Sequence, residues 1–182
     1  MKLSTGELCQ TALFTALTVI GAQIAVPMPG GVPFTMQTWV IALAGMVLGP
    51  RNGALSAVVY VLLGAVGAPV FAHFSGGMGI MLGGSGGFIM AFPLLALLSG
   101  LGQGMSEREG GKLWLVSGLI AGTVLHFAAG MLYLSWVAGI TLQAAFIAAV
   151  LPFIPSALLR IALLPFISKG LRLAISRARM GR

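Results

Sequence analysis

Residues 112–138 read KLWLVSGLIAGTVLHFAAGMLYLSWVA, and after Lys112 this stretch contains no charged side chain. About 20 consecutive apolar residues are enough for a helix to cross the hydrocarbon core of a bilayer. The rest of the chain has the same character, because 58% of its 182 residues are hydrophobic and only 7% are charged. A soluble domain carries about 25% charged residues, and disorder requires low hydrophobicity with high charge. The composition therefore excludes both classes and predicts an all-α integral membrane protein.

Polar breaks, charges and clusters of glycine and proline divide the chain into six predicted transmembrane helices. We place them at about residues 7–26, 36–48, 53–67, 87–101, 112–138 and 142–173. Together they form one domain over residues 1–182, with a basic tail at about 174–182. The first span is interpreted as retained, because no small-residue cleavage site followed by a soluble domain is present. Three prolines, Pro152, Pro155 and Pro165, predict a kink in the last span.

The charged residues predict the orientation of the chain in the membrane. Ten cations and three acids give a formal net charge of +7. If the N-terminus is inside, nine of the ten cations fall on the cytoplasmic side, namely Lys2, Arg51, Arg108, Lys112, Lys169, Arg172, Arg177, Arg179 and Arg182. This distribution follows the positive-inside rule. We therefore expect a bacterial-type cell membrane protein with both termini cytoplasmic and with the Gly/Pro-rich connections, residues 27–35 and 69–86, on the external face.

The sequence lacks the residue sets of an enzyme, a metal site or an ATPase. Two of its three acids flank an arginine in a polar loop, so a catalytic carboxylate pair is not available. Cys9 and two separated histidines do not form a metal-ligand spacing. A phosphate-binding loop is excluded because Leu113 follows Gly111-Lys112. We predict no enzymatic activity, no metal, no cofactor and no nucleic-acid partner, and energy for any active uptake would come from another chain.

Aromatic and polar side chains cluster where the two external connections meet the spans. The candidate ligand contacts there are Phe34, Thr35, Gln37, Phe71, His73, Phe74 and Phe88. Aromatic walls with a few hydrogen-bonding groups are typical of small-molecule pockets. Alternatives remain open, because Thr35 can cap a helix and His73 can be a solvated loop residue.

Arg160 is a charged residue inside the last predicted span. A cation at mid-membrane costs about 2.5–3.5 kcal/mol on insertion scales, and no acid lies within the spans to pair with it. We expect Arg160 to point into the bundle and to bind an anionic or carbonyl-bearing ligand. The alternative is that it extends toward an interface or bonds to carbonyls freed by the prolines. His126, inside the fifth span, is either functional or bonded to a backbone carbonyl.

Small residues recur at four-residue spacing on several predicted spans. Gly45, Gly49 and Gly53 form one such series, and Gly118 and Gly122 form another. This spacing allows helices to approach closely in lipid, and packing within the bundle explains each pair. Ala12 and Ala16 on the first span have a second interpretation, which is contact with another subunit.

Several motifs in order resemble the BioY family, the biotin-specific substrate-binding (S) components of energy-coupling factor (ECF) vitamin transporters. They are Gly21-Ala22-Gln23-Ile24, residues 32–38 (VPFTMQT), residues 48–56 (LGPRNGALS), residues 67–72 (GAPVFA), residues 83–88 (GGSGGF) and residues 151–155 (LPFIP). The resemblance covers about residues 8–173. It differs at two positions near the end, where Ala157 and Arg160 stand in place of the family's Asp and Lys.

The resemblance implies a six-helix S-component fold that binds biotin near the external face. It adds Ser85, Gly87 and Ala157 to the candidate ligand contacts, and it implies that Ala12 and Ala16 contact a transmembrane coupling subunit driven by two cytoplasmic ATPase subunits. The expected function is capture of biotin and its delivery inward. The alternative is a stand-alone facilitator or secondary transporter of biotin or a related vitamin precursor.

Overall fold

The computed structural model describes residues 4–28 and 30–180, and these residues are mainly helical. The helices are α1 (Thr5–Gln23), α2 (Gln37–Leu48), α3 (Pro50–Ala65), α4 (Met78–Leu82), α5 (Gly86–Met90), α6 (Phe92–Glu109), α7 (Lys112–Ala138), α8 (Leu142–Ala149) and α9 (Ile154–Met180). Short 3₁₀ helices cover Ala72–Phe74 and Leu151–Phe153. Two strands, β1 (Ala25–Val26) and β2 (Phe34–Thr35), pair antiparallel across the connection between α1 and α2.

Local sequence signals explain where the helices begin and end. The Ser4 side chain accepts a hydrogen bond from the Glu7 backbone N–H while the Glu7 carboxylate accepts one from the Ser4 N–H, so α1 starts with a capping box. Helices α6 and α7 both stop at a glycine with positive φ, Gly110 at 72° and Gly139 at 64°. Glycine adopts this left-handed conformation without the steric cost of a Cβ atom.

Helix α6 lies at the centre of the bundle and packs against α2, α3 and α7 through small residues. A Cβ atom added to Gly45 would lie 2.0 Å from the Ala96 carbonyl oxygen, and one added to Gly118 would lie 2.6 Å from the Gly102 Cα. Backbones approach this closely only where side chains are absent. Gly45, Gly53, Gly118 and Gly122 therefore pack within the bundle, as predicted, whereas a Cβ atom added to Gly49 would meet nothing within 4 Å.

Among the described residues, three segments are long and apolar enough to cross a membrane: Gly86–Glu109, Lys112–Ala138 and Leu142–Arg177. Helix α2, at Gln37–Leu48, is a shorter apolar helix. Large apolar side chains are exposed on the outside of the bundle, among them Ile20, Trp136 and Phe166. An apolar exterior of this kind fits lipid rather than water. The count of six spans stays a prediction.

The helix bounds differ from the predicted spans in several places. Helix α3 begins at Pro50 instead of residue 53, and α6 ends at Glu109 instead of residue 101. The first span ends at Gln23 instead of residue 26, because residues 25–26 form β1. The fourth is broken at Ala91, where Pro93 in the first turn of α6 cannot continue the preceding helix. The last is interrupted at residues 150–153, near Pro152, as the prolines predict, and α9 then continues to Met180 through most of the predicted tail.

The charged residues lie mainly at one end of the bundle. Arg172 on α9 forms an ion pair with Glu107 at the end of α6, and Asn52 at the start of α3 bonds to Glu7 on α1. This is the end of the bundle that was predicted to face the cytoplasm. Lys2, Arg182 and the side chain of Arg179 lie outside the described residues.

Candidate functional site

A cavity of about 360 Å³ opens at the other end of the bundle, between the two Gly/Pro-rich connections and helices α2, α7 and α9. This volume falls within the usual range of about 300–1,000 Å³ for small-molecule sites. Nine of the predicted contacts line it: Phe34, Thr35, Gln37, Phe71, His73, Ser85, Phe88, Ala157 and Arg160. Residues from distant parts of the sequence thus converge on one pocket, although their roles in binding stay predictions.

The aromatic walls of the cavity are held by stacking and by glycines. Phe34 stacks on Phe153 with ring centroids 6.0 Å apart. The ring of Phe71 lies directly on Gly64, where an added Cβ would be 2.0 Å from its Cζ. The ring of Phe88 lies on Gly130 in the same way, with 2.2 Å to its Cδ1. These walls are fixed by packing and do not depend on a ligand.

Arg160 is 2% exposed and points into the bundle, as predicted. Its Nη2 donates to the Thr123 hydroxyl oxygen over 2.8 Å, and its Nε has no hydrogen-bond partner within the described residues. Thr123 in turn donates to the Leu119 carbonyl, so its oxygen is free to accept from the guanidinium. The described acids, Glu7, Glu107 and Glu109, lie in the first turn of α1 and the last turn of α6. Within the part of the chain that the structure describes, the guanidinium is therefore a buried cation without a carboxylate partner.

His126 lines the same cavity beside this cation. Its ring stacks on Phe92 with centroids 5.4 Å apart and an interplanar angle of 12°, and it meets Phe88 edge-on at 5.6 Å. Its Nδ1 is buried without a partner among the described residues. The alternative of a bond from this nitrogen to a backbone carbonyl is thus not the arrangement observed.

A chain of hydrogen bonds runs behind the pocket wall. The Thr35 hydroxyl donates to Gln37 Oε1 over 2.8 Å, Gln37 Nε2 donates to the Tyr60 hydroxyl, and that hydroxyl donates to the Val70 carbonyl over 3.0 Å. Gln23 supports the second connection in a similar way. Its Nε2 donates to the Phe71 carbonyl and its Oε1 accepts from the backbone N–H of Phe74.

Two of the predicted contacts do not line the cavity. The Phe74 side chain is 72% exposed, and Phe74 and His73 are consecutive residues with φ of 54° and 57°. This left-handed backbone turns the Phe74 ring outward. Gly87 packs against α7 instead, because an added Cβ would lie 2.3 Å from the Tyr133 Cβ. Its role is to let α5 approach α7 and so to place Phe88.

Sequence reasoning did not identify Thr123, Tyr60 or Phe153. Thr123 precedes His126 by three residues, so both lie on one face of α7, and this polar pair in an apolar helix was an available signal. Tyr60 and Phe153 carry no such signal, since aromatic residues occur throughout membrane helices.

Ala12 and Ala16 are both exposed on α1, away from the cavity. They leave a shallow surface between the larger side chains of Leu13 and Ile20, which are also exposed. This position fits contact with lipid or with a second subunit, and it excludes packing inside the bundle.

The model of the BioY family matches residues 1–177. The chain belongs to the BioY family. A "Probable biotin transporter BioY" of Pyrococcus horikoshii is 45% identical over 148 residues, which cover 81% of this chain and 85% of the relative. A "Biotin transporter BioY" of Thermotoga maritima is 39% identical over 130 residues, which cover 71% and 75%. These relatives of the BioY chain are named as transporters rather than enzymes.

The BioY fold is also found in a solved structure. The match is the S-component for biotin from an ECF-type ABC transporter, with a TM-score of 0.83 and 26% sequence identity over 94% of this chain and 95% of that chain. The prediction of an all-α membrane protein with the S-component fold is confirmed. This BioY chain is therefore embedded in a membrane as a helical bundle.

Proposed function

We propose that this BioY chain binds biotin in the cavity and serves as the substrate-binding membrane subunit of an ECF-type uptake transporter. The observation that carries the proposal is the buried guanidinium of Arg160, which lines the cavity and has no carboxylate partner among the described residues. The carboxylate of biotin supplies the missing negative charge. A charge-assisted hydrogen bond of this kind contributes about 1.5–3 kcal/mol.

The remainder of the cavity suits the rest of the ligand. Phe34, Phe71 and Phe88 offer flat apolar surfaces for the bicyclic ring, and Gln37 and Ser85 offer hydrogen bonds. Ala157 contributes no polar group, so ring N–H groups of the ligand find acceptors in hydroxyl and backbone oxygens rather than in an acid.

In the membrane, the cavity faces outward and both termini face the cytoplasm. The basis is the charge distribution, because Arg51, Arg108, Lys112 and Arg172 lie at or near helix ends remote from the cavity, and cytoplasmic ends are enriched in Lys and Arg. Biotin therefore enters from the external face, and the two connections that border the cavity close over it.

Delivery inward requires partners, because the chain lacks a phosphate-binding loop. A transmembrane coupling subunit and two cytoplasmic ATPase subunits supply the energy. The exposed Ala12 and Ala16 on α1 form the contact with the coupling subunit, since small side chains allow a partner helix to pack closely.

Binding of labelled biotin to the detergent-purified protein tests the ligand, with dethiobiotin and lipoate as competitors. We expect saturable binding, competition by dethiobiotin because it retains the ureido ring and carboxylate, and little competition by lipoate because it lacks the ureido group. A folded protein, monodisperse and cooperatively unfolding, that does not bind biotin contradicts the proposal.

Uptake in cells tests the partners. Cells that contain the chain together with a complete coupling module should accumulate labelled biotin, and cells that contain the chain alone should not. Equal accumulation in both would assign the chain to stand-alone transport and overturn its role as a subunit.

A further inference from the structure

Gln37 has an amide whose orientation decides what the cavity offers to a ligand. The residue is 6% exposed and lines the cavity. A carboxamide can present either a carbonyl, which accepts, or an N–H, which donates, and the choice follows from the surrounding hydrogen-bond network.

The network has only one consistent direction. The Val70 carbonyl can only accept, so the single hydrogen of the Tyr60 hydroxyl points to it over 3.0 Å. The Tyr60 oxygen must then accept from Gln37, and this places Nε2 toward Tyr60. Oε1 is left facing Thr35, whose hydroxyl donates to it over 2.8 Å. The Val70 carbonyl, which lies in the connection after α3, thus determines the orientation of an amide at the start of α2.

This orientation leaves one hydrogen on Gln37 Nε2 without a partner within the described residues, while Oε1 points toward Thr35 and accepts from its hydroxyl. We propose that Tyr60, which is fully buried and does not line the cavity, is a positioning residue that makes Gln37 an N–H donor toward the ligand. The group it recognises is a neutral acceptor oxygen. This inference rests on the proposed function, in which the Arg160 cation takes the carboxylate of biotin, and the ureido carbonyl is then the acceptor that meets Gln37.

The site should therefore prefer a ligand ring with a neutral acceptor oxygen over a charged ring with N–H donors at the same position. In 2-iminobiotin, a guanidinium replaces the urea, so donors stand where biotin has its carbonyl oxygen. A site with a fixed donor rejects such a ligand, because two N–H groups face each other without an acceptor. Removal of the Tyr60 hydroxyl frees the amide to turn and to present its carbonyl instead.

The experiment compares the dissociation constants of 2-iminobiotin and biotin at neutral pH for the purified wild type, Tyr60→Phe and Thr35→Val. We expect the constant of 2-iminobiotin divided by that of biotin to fall about tenfold in Tyr60→Phe. This factor corresponds to one hydrogen bond of about 1.4 kcal/mol. Thr35→Val is the matched control, because it removes another bond of the same network but leaves Tyr60 bonded to Val70. Its affinity for biotin falls while its ratio stays at the wild-type value.

An unchanged ratio in Tyr60→Phe, with biotin still bound, overturns the inference and leaves the proposed function intact. A folded wild-type protein that does not bind biotin would refute the proposed function itself. If Tyr60→Phe does not fold, Gln37→Met tests the donor itself, because methionine has similar length and no N–H group. The ratio of the 2-iminobiotin constant to the biotin constant should then fall about tenfold, because no donor faces the ring. An unchanged ratio in Gln37→Met also overturns the inference.

Discussion

Replacement of Arg160 by methionine should change ligand affinity and protein stability in opposite directions. The side chain is 2% exposed, its Nη2 bonds to Thr123, and its Nε has no partner within the described residues. Methionine has similar length and no charge. In the ligand-free protein the change removes a charge-burial cost of about 2.5–3.5 kcal/mol and one hydrogen bond from a charged donor, which contributes about 1.5–3 kcal/mol. The variant should therefore be more stable without ligand, by up to about 2 kcal/mol.

Affinity for biotin should fall in the same variant. The lost contact is a charge-assisted hydrogen bond to the carboxylate, which contributes about 1.5–3 kcal/mol. Since each 1.4 kcal/mol corresponds to a factor of ten, the dissociation constant should rise roughly 10- to 150-fold. Equilibrium binding of labelled biotin and denaturant unfolding in micelles measure the two quantities on one preparation.

Arg177→Met is the control for the general effect of losing a cation on α9. Arg177 is exposed and lies outside the cavity, so neither affinity nor stability should change by much. Unchanged affinity in Arg160→Met would assign the guanidinium a purely structural role. Lower stability of the ligand-free variant would show that the bond to Thr123 contributes more than the charge costs.

Three further predictions follow from the packing and the surface. Thr123→Val should weaken biotin binding roughly 2- to 12-fold, because the guanidinium loses its one observed bond, and equilibrium binding measures this. Gly64→Ala should destabilise the protein by about 1–3 kcal/mol through overpacking. Gly79→Ala should not, because a Cβ atom added there meets nothing within 4 Å, and the unfolding midpoints of the two variants measure the difference. Leucine at both Ala12 and Ala16 should abolish uptake in cells without reducing biotin affinity in detergent, and reduced affinity would contradict a partner role.

The apolar helices could be predicted well from the sequence, because each is set by a local property. Residues 112–138 form one helix with the predicted bounds, since Gly111 and Gly139 flank an uninterrupted apolar run. The break at Ala91 was missed because a single proline at the start of a helix also occurs without a kink. The pairing of β1 with β2 was missed because two-residue strands carry no periodicity.

Most of the contacts that were predicted from the sequence line the cavity, but the partners that support them could not be predicted. Arg160 was found because an intramembrane cation is costly wherever it lies. Thr123 and Tyr60 act through partners far away in sequence, 37 and 23 residues from Arg160 and Gln37. Their roles depend on how α3, α7 and α9 pack, which no local pattern contains.

The same buried charge links ligand binding to the stability of the whole bundle. A ligand at 100 times its dissociation constant stabilises the folded state by about 2.7 kcal/mol. In Arg160→Met, a dissociation constant 10- to 150-fold higher reduces this gain at the same biotin concentration to between about 1.4 and 0.3 kcal/mol. The variant should thus begin more stable than the wild type and gain less from biotin. If biotin stabilises the wild type and the variant equally, Arg160 does not contribute to biotin binding, and the carboxylate must be bound elsewhere in the cavity.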